Sequence, residues 1–150
     1  MIRVAENLRN CIGVLVLSIL IAGCGESEIA MVPVKGEVVT ADGVPCDGAL
    51  VVFHPQDEGK VNGPKPVATA DENGQFVLTT NQQDDGAEPG KYGVTVVWNQ
   101  PAKESKFSLS GEGGGGGPDK LGGRYGDPSN PLLQAVVEAG KDNKFRFEVK

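Results

Sequence analysis

The thiols of Cys11, Cys24 and Cys46 and the single imidazole, His54, are the side chains of this chain best suited to metal or nucleophilic chemistry. No two of the cysteines stand in Cys-x-x-Cys spacing, and a zinc or redox centre needs such a pair or several histidines. No metal and no cofactor is therefore expected. A Ser-His-Asp triad would have to use His54, which adjoins Pro55 with nothing nearby to support it, so His54 is read as a rim residue at a strand end. Cys46 lies between Val44-Pro45 and Ala49-Leu50 and reads as a small buried apolar residue, with a reactive thiol as the alternative. Asp71-Glu72-Asn73-Gly74 raises calcium, but a calcium loop is longer and ends in a distant Glu; four residues between two apolar runs make a hairpin turn. The acidic stretch Gln82 to Glu88 reads as a solvated loop. The glycine run Gly111 to Gly117 raises a phosphate cradle, which needs a preceding strand, a following helix and usually Lys-Ser/Thr. Here Pro118 and Asp119 follow, and no phosphate site is expected.

Cys24 stands in different surroundings. Arg3 and Arg9 give the first residues a positive bias despite Glu6. Cys11 to Ala22, "CIGVLVLSILIA", then carries no charge and shows no 3.6-residue periodicity. Such a run is shorter than the roughly 20 apolar residues of a membrane-spanning helix. It matches the apolar region of a secretory signal, here expected as an N-terminal signal helix, followed by small residues. The alternative is a buried core helix, which would show an apolar stripe.

Ile21-Ala22-Gly23-Cys24 resembles the lipobox of bacterial lipoproteins: a branched aliphatic, a small residue, Gly or Ala, then Cys. The resemblance implies cleavage between Gly23 and Cys24, attachment of diacylglycerol to the Cys24 thiol, and room for acylation of the new amino terminus. Ile21 stands where Leu is commoner. Each buried CH₂ of an acyl chain contributes about 0.8 kcal/mol, and two or three chains anchor durably. On this reading residues 1–23 are a signal peptide and residues 24–31 a short polar tether. Removal of Arg3, Glu6 and Arg9 takes the formal charge from −6 to −7. With Cys24 blocked by lipid, Cys46 has no partner for an intrachain disulfide. Gly25 rather than Asp follows Cys24, which by the same resemblance favours the outer over the cytoplasmic membrane, with the domain facing the periplasm or the exterior.

The rest must fold. A chain of 150 residues with 39% hydrophobic and 23% charged residues suits one domain with a packed core. Gly 22 and Pro 10 make about a fifth of it, which favours short strands and tight turns over helices. A net charge of −6 argues against nucleic acid as a partner.

From Val32 onward the pattern has period two. Val34, Gly36, Val38 and Thr40 form one face of a first strand, and Thr40 to Pro45 is a turn. Gly48 to Pro55 is a second strand, with Ala49, Val51 and Phe53 on one face. Pro66 to Thr80 is a hairpin turning at Asp71–Gly74. Gly90 to Trp98 is the longest strand, with Tyr92, Val94, Val96 and Trp98 together. Pro131 to Asn143 holds another short strand around Ala135-Val136-Val137, a single helical turn being the alternative. Lys144 to Lys150 closes the chain, with Phe145, Phe147 and Val149 on one face. The expectation is an all-β, antiparallel β-sandwich of about seven strands. A flexible Gly-rich loop over about residues 99–130 interrupts it.

Four phrases in order, Val34 to Pro55, Ala68 to Thr80, Asp85 to Trp98 and Tyr125 to Val149, resemble the carboxypeptidase regulatory-like domain, a transthyretin-like (prealbumin-like) and Ig-like sandwich. The resemblance covers residues 32–150 except the glycine run, and it implies no catalytic activity in the domain. Related folds with chemistry fit poorly. Hydroxyisourate hydrolases need more than one histidine and a Tyr-Arg-Gly-Ser ending, where this chain has Phe147-Glu148-Val149-Lys150. Intradiol dioxygenases need two Tyr and two His; Tyr92 and Tyr125 are present, but the second histidine is not. Collagen-adhesin repeats join Lys to Asn, and here Lys35 has only Asn143, just before the last strand. The expected function is a non-catalytic, lipid-anchored envelope module that meets the membrane through its lipid and binds an envelope protein or polysaccharide. An accessory subunit of an envelope or export complex, and an enzyme of unknown type, are the alternatives.

Overall fold

The computed structural model describes residues 30–101 and 116–150, and in them the chain is all-β. Nine strands form: β1 (Val34–Thr40), β2 (Leu50–Pro55), β3 (Val67–Thr69), β4 (Gln75–Val77), β5 (Gly90–Val97), β6 (Asn99–Pro101), β7 (Gly116–Asp119), β8 (Leu133–Val137) and β9 (Asn143–Val149). Seven of them make two sheets, ordered β4-β1-β9 and β3-β2-β5-β8, and β6 with β7 makes a separate ribbon.

Period two decides which side chains turn inward. Val34, Val38, Phe76, Phe147 and Val149 from one sheet share a single buried cluster with Val51, Phe53, Tyr92, Val94, Val96, Ala135 and Val137 from the other, giving the fold its β-sandwich-like character. Aromatic rings bridge the two layers. Phe53 stands with its ring centroid 5.6 Å from Tyr92, 5.9 Å from Phe145 and 6.1 Å from Phe147. Phe147 in turn stacks on Phe76 at 6.1 Å. Each such pair adds about 0.5–1.5 kcal/mol beyond the burial of its area.

Pairing is antiparallel except at β1–β9, which run parallel from Val34↔Asn143 to Thr40↔Val149. A wholly antiparallel sandwich was expected. The difference arises because β8 lies in the opposite sheet and a tight turn returns the chain as β9 beside β1, so the last strand takes the direction of the first. A parallel neighbour needs a crossover connection, and here that connection contains the whole second sheet. Gly36 fits the crowded centre of the smaller sheet: a Cβ there would lie 2.7 Å from Phe76 Cζ and would strike the Phe145 carbonyl oxygen.

One flank of the sandwich is closed. Val67 and Thr79 exchange backbone hydrogen bonds of 2.9 Å each, tying the segment after β4 to β3 of the other sheet. The stretch expected as one irregular loop over 99–130 has strands at its described ends, β6 and β7, and a turn that returns Tyr125 to the core at 8% exposure. The ordering residue is Asp119. Its Oδ1 accepts from the N–H of Trp98 and of Leu121, and its Oδ2 from that of Gly123.

Candidate functional site

Gly23 and Cys24, and with them the proposed cleavage and lipid site, lie outside the described residues, as do Cys11 and most of the glycine run. The other candidates are placed. Cys46 is fully buried, and burial pushes its thiol above the ordinary range, with Lys120 pulling weakly the other way.

His54 is half-buried on the outer face of the larger sheet, where its Nε2 lies 2.9 Å from Thr95 Oγ1. Burial, then the nearby Lys65 charge, lower its pKa and favour the neutral ring. Asp71 holds the turn between β3 and β4. Its Oδ1 accepts from the N–H of Asn73 at 2.8 Å and of Gln75 at 2.9 Å, with Gly74 at φ 73°. The hairpin expected over Pro66 to Thr80 is instead a turn that carries the chain from one sheet to the other, because β3 pairs with β2 and β4 with β1.

Lys35 and Asn143 do not meet as a cross-link would require. Lys35 is exposed and opposite Lys144. Asn143 proves to be the first residue of β9, and its carboxamide closes the β8–β9 turn: Oδ1 accepts from Glu138 N, and Nδ2 donates to the carbonyls of Glu138 and Lys141.

The acidic loop is tightly built. Asp85 accepts at one oxygen from Thr80 N and at the other from Asn81 N and Gln82 N, within 2.7–2.9 Å. Burial alone would raise its carboxyl pKa; the backbone donors outweigh burial and leave it below the ordinary value.

Two concavities among the described residues bear on function. The larger, about 670 Å³, is an open groove across the outer face of β4-β1-β9. Lys35, Lys144 and Arg146 line it together with Glu37, Asp71 and Asp84, so the charges balance. Several are already engaged: Arg146 with Glu37, Lys144 with Asp142 at 2.6 Å, and Asp71 with its turn. The smaller, about 240 Å³, is walled by Pro55, Pro64, Pro66 and the Tyr92 ring. Lys60 spans its rim, 3.1 Å from Glu88 and 3.2 Å from the Pro89 carbonyl oxygen. The Tyr92 hydroxyl donates to the Glu88 carbonyl at 2.8 Å. Burial, with Glu88 and Asp57 behind it, pushes that phenol up to about 12.

Among the described residues no group of three His, Cys, Asp or Glu is placed to hold a metal ion. Every buried side-chain nitrogen or oxygen in them has a hydrogen-bond partner, and no helix in them is long and apolar enough to cross a membrane. Sequence reasoning missed Asp119 and Asp85. Both read as loop carboxylates; the one local cue is the glycine one to four residues beyond each, which lets the chain wrap its own N–H groups around the side chain. No family model, no curated protein and no solved structure matches the chain.

Proposed function

We propose that this chain is a non-catalytic module of the cell envelope, held at a membrane by a lipid on Cys24. Its domain, of the carboxypeptidase regulatory-like, transthyretin-like type, presents a surface to an envelope protein or polysaccharide. The anchor rests on the order of features around Cys24: a positive start, a charge-free run of about a dozen residues, Ile21-Ala22-Gly23-Cys24, then the polar Gly25-Glu26-Ser27-Glu28. One structural observation carries the preference for a scaffold over an active site: the side chains suited to chemistry are spent on the fold. Asp71, Asp85 and Asn143 each bind backbone groups of their own loops, and Asp119 binds those of its own turn and of Trp98. His54 is held by Thr95, and Cys46 is sealed in the core.

The balanced charge of the large groove favours a partner of mixed charge, as a protein surface is, over a strongly anionic or cationic one. Detergent phase partition of wild type and Cys24→Ser tests the anchor. Wild type is expected in the detergent phase and the variant in the aqueous phase. Wild type in the aqueous phase overturns it.

A further inference from the structure

The flank opposite the Val67–Thr79 closure is open, and the backbone shows which groups it offers. Val38 N and Leu78 N bond across β1–β4, to Gly74 and Val34, so the even residues of β1 face β4. Ala41 N donates to the Val149 carbonyl at 3.0 Å, so the odd residues of β1 face β9 and the odd residues of β9 face β1. The even residues of β9 therefore turn their N–H and C=O groups outward. Lys144 N is used by Asp142 O, and Lys150 N by the Tyr125 hydroxyl, both at 3.1 Å. Arg146 and Glu148 are left with both backbone groups unpaired among the described residues, and no strand there lies beyond β9. Phe145, a member of the aromatic group, is only half-buried at this edge.

An open edge strand is a template for another strand, and its charges select the partner. Side chains directly opposite each other in an antiparallel pair attract or repel strongly enough to set register. We propose that β9 pairs with β9 of a second copy of this chain, antiparallel about a two-fold axis through Phe147. Arg146 of each copy then stands opposite Glu148 of the other. Both residues are exposed on the same outer face. Both carry the free backbone groups, so each Arg146–Glu148 pair is a hydrogen-bonded one. The Tyr125 hydroxyl on Lys150 N ends the pairing before Lys144 and Lys150 come opposite each other. A register centred on Arg146 would instead set two arginines face to face. The outer edge of β8, on the same flank, offers the uncharged Gln134 and Val136, so β9 sets the register.

Sedimentation velocity of the full chain in detergent, from low to high micromolar, tests the pairing. Wild type is expected as a dimer. Glu148→Pro removes an outward N–H that the monomer does not use, and proline is tolerated at such an edge position; this variant is expected to be a monomer with an unchanged melting curve. Arg146→Glu and Glu148→Arg each create two like-charge pairs and are expected to weaken the dimer at least about tenfold. Because Arg146 also pairs with Glu37 of its own chain, the charge series is made in a Glu37→Gln background, where the double reversal restores the dimer. Should the proline variant fail to fold, the charge series decides. A monomeric wild type, a folded Glu148→Pro that still dimerises, or a double reversal no tighter than the single ones overturns the proposal. So does capture of this edge by an unrelated extended peptide while the chain itself stays monomeric.

Discussion

The Asp119 carboxylate accepts a hydrogen bond of 2.9 Å from the backbone N–H of Trp98, 21 residues earlier in the chain. The same carboxylate collects Leu121 N and Gly123 N, so one side chain fixes the start of the β6–β7 ribbon to the turn that follows it. Trp98 is held from two further sides. Its Nε1 donates to the Asp47 carbonyl at 2.8 Å, and Lys120 Nζ lies 3.9 Å from the ring centroid. Removing one acceptor from three N–H groups costs more than a single net hydrogen bond. Asp119→Ala is expected to lower stability by about 1–3 kcal/mol. Asp119→Asn, which keeps one acceptor oxygen, should lose less. Urea unfolding followed by the fluorescence of Trp98, the only tryptophan, reads both. Equal stability of wild type and Asp119→Ala would remove Asp119 from this role.

Gly36 marks the tightest place in the smaller sheet. A Cβ there meets the Phe76 ring at 2.7 Å and the fixed Phe145 carbonyl. A ring can turn aside, whereas a carbonyl in the β1–β9 ladder cannot without breaking the pairing. Gly36→Ala should therefore destabilise by about 3 kcal/mol, the upper part of the usual range for overpacking. Adding Phe76→Ala should not rescue it. Chemical denaturation of the single and double variants checks this; full rescue by Phe76→Ala would show that the ring alone set the limit.

The strands were legible because burial follows period two. Val51 and Phe53, Tyr92, Val94 and Val96, and Phe147 and Val149 face inward as the alternation predicts. Residues buried against that parity were not legible. Thr95 is 4% exposed although it faces outward between Tyr92-type positions, and the neighbouring Gly93 is covered by Pro131 and Gln56 from distant segments. The parallel β1–β9 pair was hidden for a related reason. Its partners lie about a whole domain apart in sequence, and no local pattern encodes the direction of a returning strand. Asp119 was hidden because a carboxylate that gathers its own loop has the same composition around it as one that faces water. The proposed anchor at Cys24, by contrast, rests on local order alone and owes nothing to the fold.

Asp85 predicts the acid limb of stability. Its carboxyl pKa is lowered in the folded chain, with burial opposing and the Thr80, Gln82 and Asn81 N–H groups prevailing. The stability it adds is therefore complete above the unfolded value of about 3.9 and is lost as pH falls through the lower, folded value. Asp85→Asn should melt lower at neutral pH and show a flatter fall below about pH 4. Thermal melts across that window compare the two; parallel acid limbs would show that Asp85 contributes nothing to the fall.

Tyr92 predicts the alkaline limb, with the opposite sign. Burial, then Glu88 and Asp57, raise its phenol from 10.0 to about 12. The unfolded chain loses this proton first, so the stabilisation is full below the unfolded pKa and falls as pH climbs from there toward the folded value. Tyr92→Phe gives up the 2.8 Å bond to the Glu88 carbonyl, leaves that acceptor short of a partner, and removes the titration. It should be slightly less stable at pH 7, with a shallower loss between about pH 10 and pH 12. Melts over that range, alongside ultraviolet titration of tyrosinate, check both parts, and an unchanged slope contradicts them.

Cys46 is predicted to behave as a core atom and not as a reagent. It is fully buried, its N–H donates to the Val38 carbonyl at 3.0 Å, and burial holds its thiol protonated above the ordinary range. A thiol reacts as the thiolate, and only when a reagent can reach it. Alkylation mapped by mass spectrometry to the peptide carrying Cys46 should therefore be negligible in native buffer and complete in denaturant. Substitution separates packing from chemistry. Cys46→Ala leaves a small void. Cys46→Ser places a hydroxyl where the surroundings were fitted to sulfur and should destabilise by about 1–3 kcal/mol unless it finds an acceptor. Cys46→Ser is thus expected to be the less stable of the two. Rapid native alkylation of Cys46, at a rate near that of an exposed thiol, would instead assign it a chemical role and reopen the search for a nucleophile in this fold.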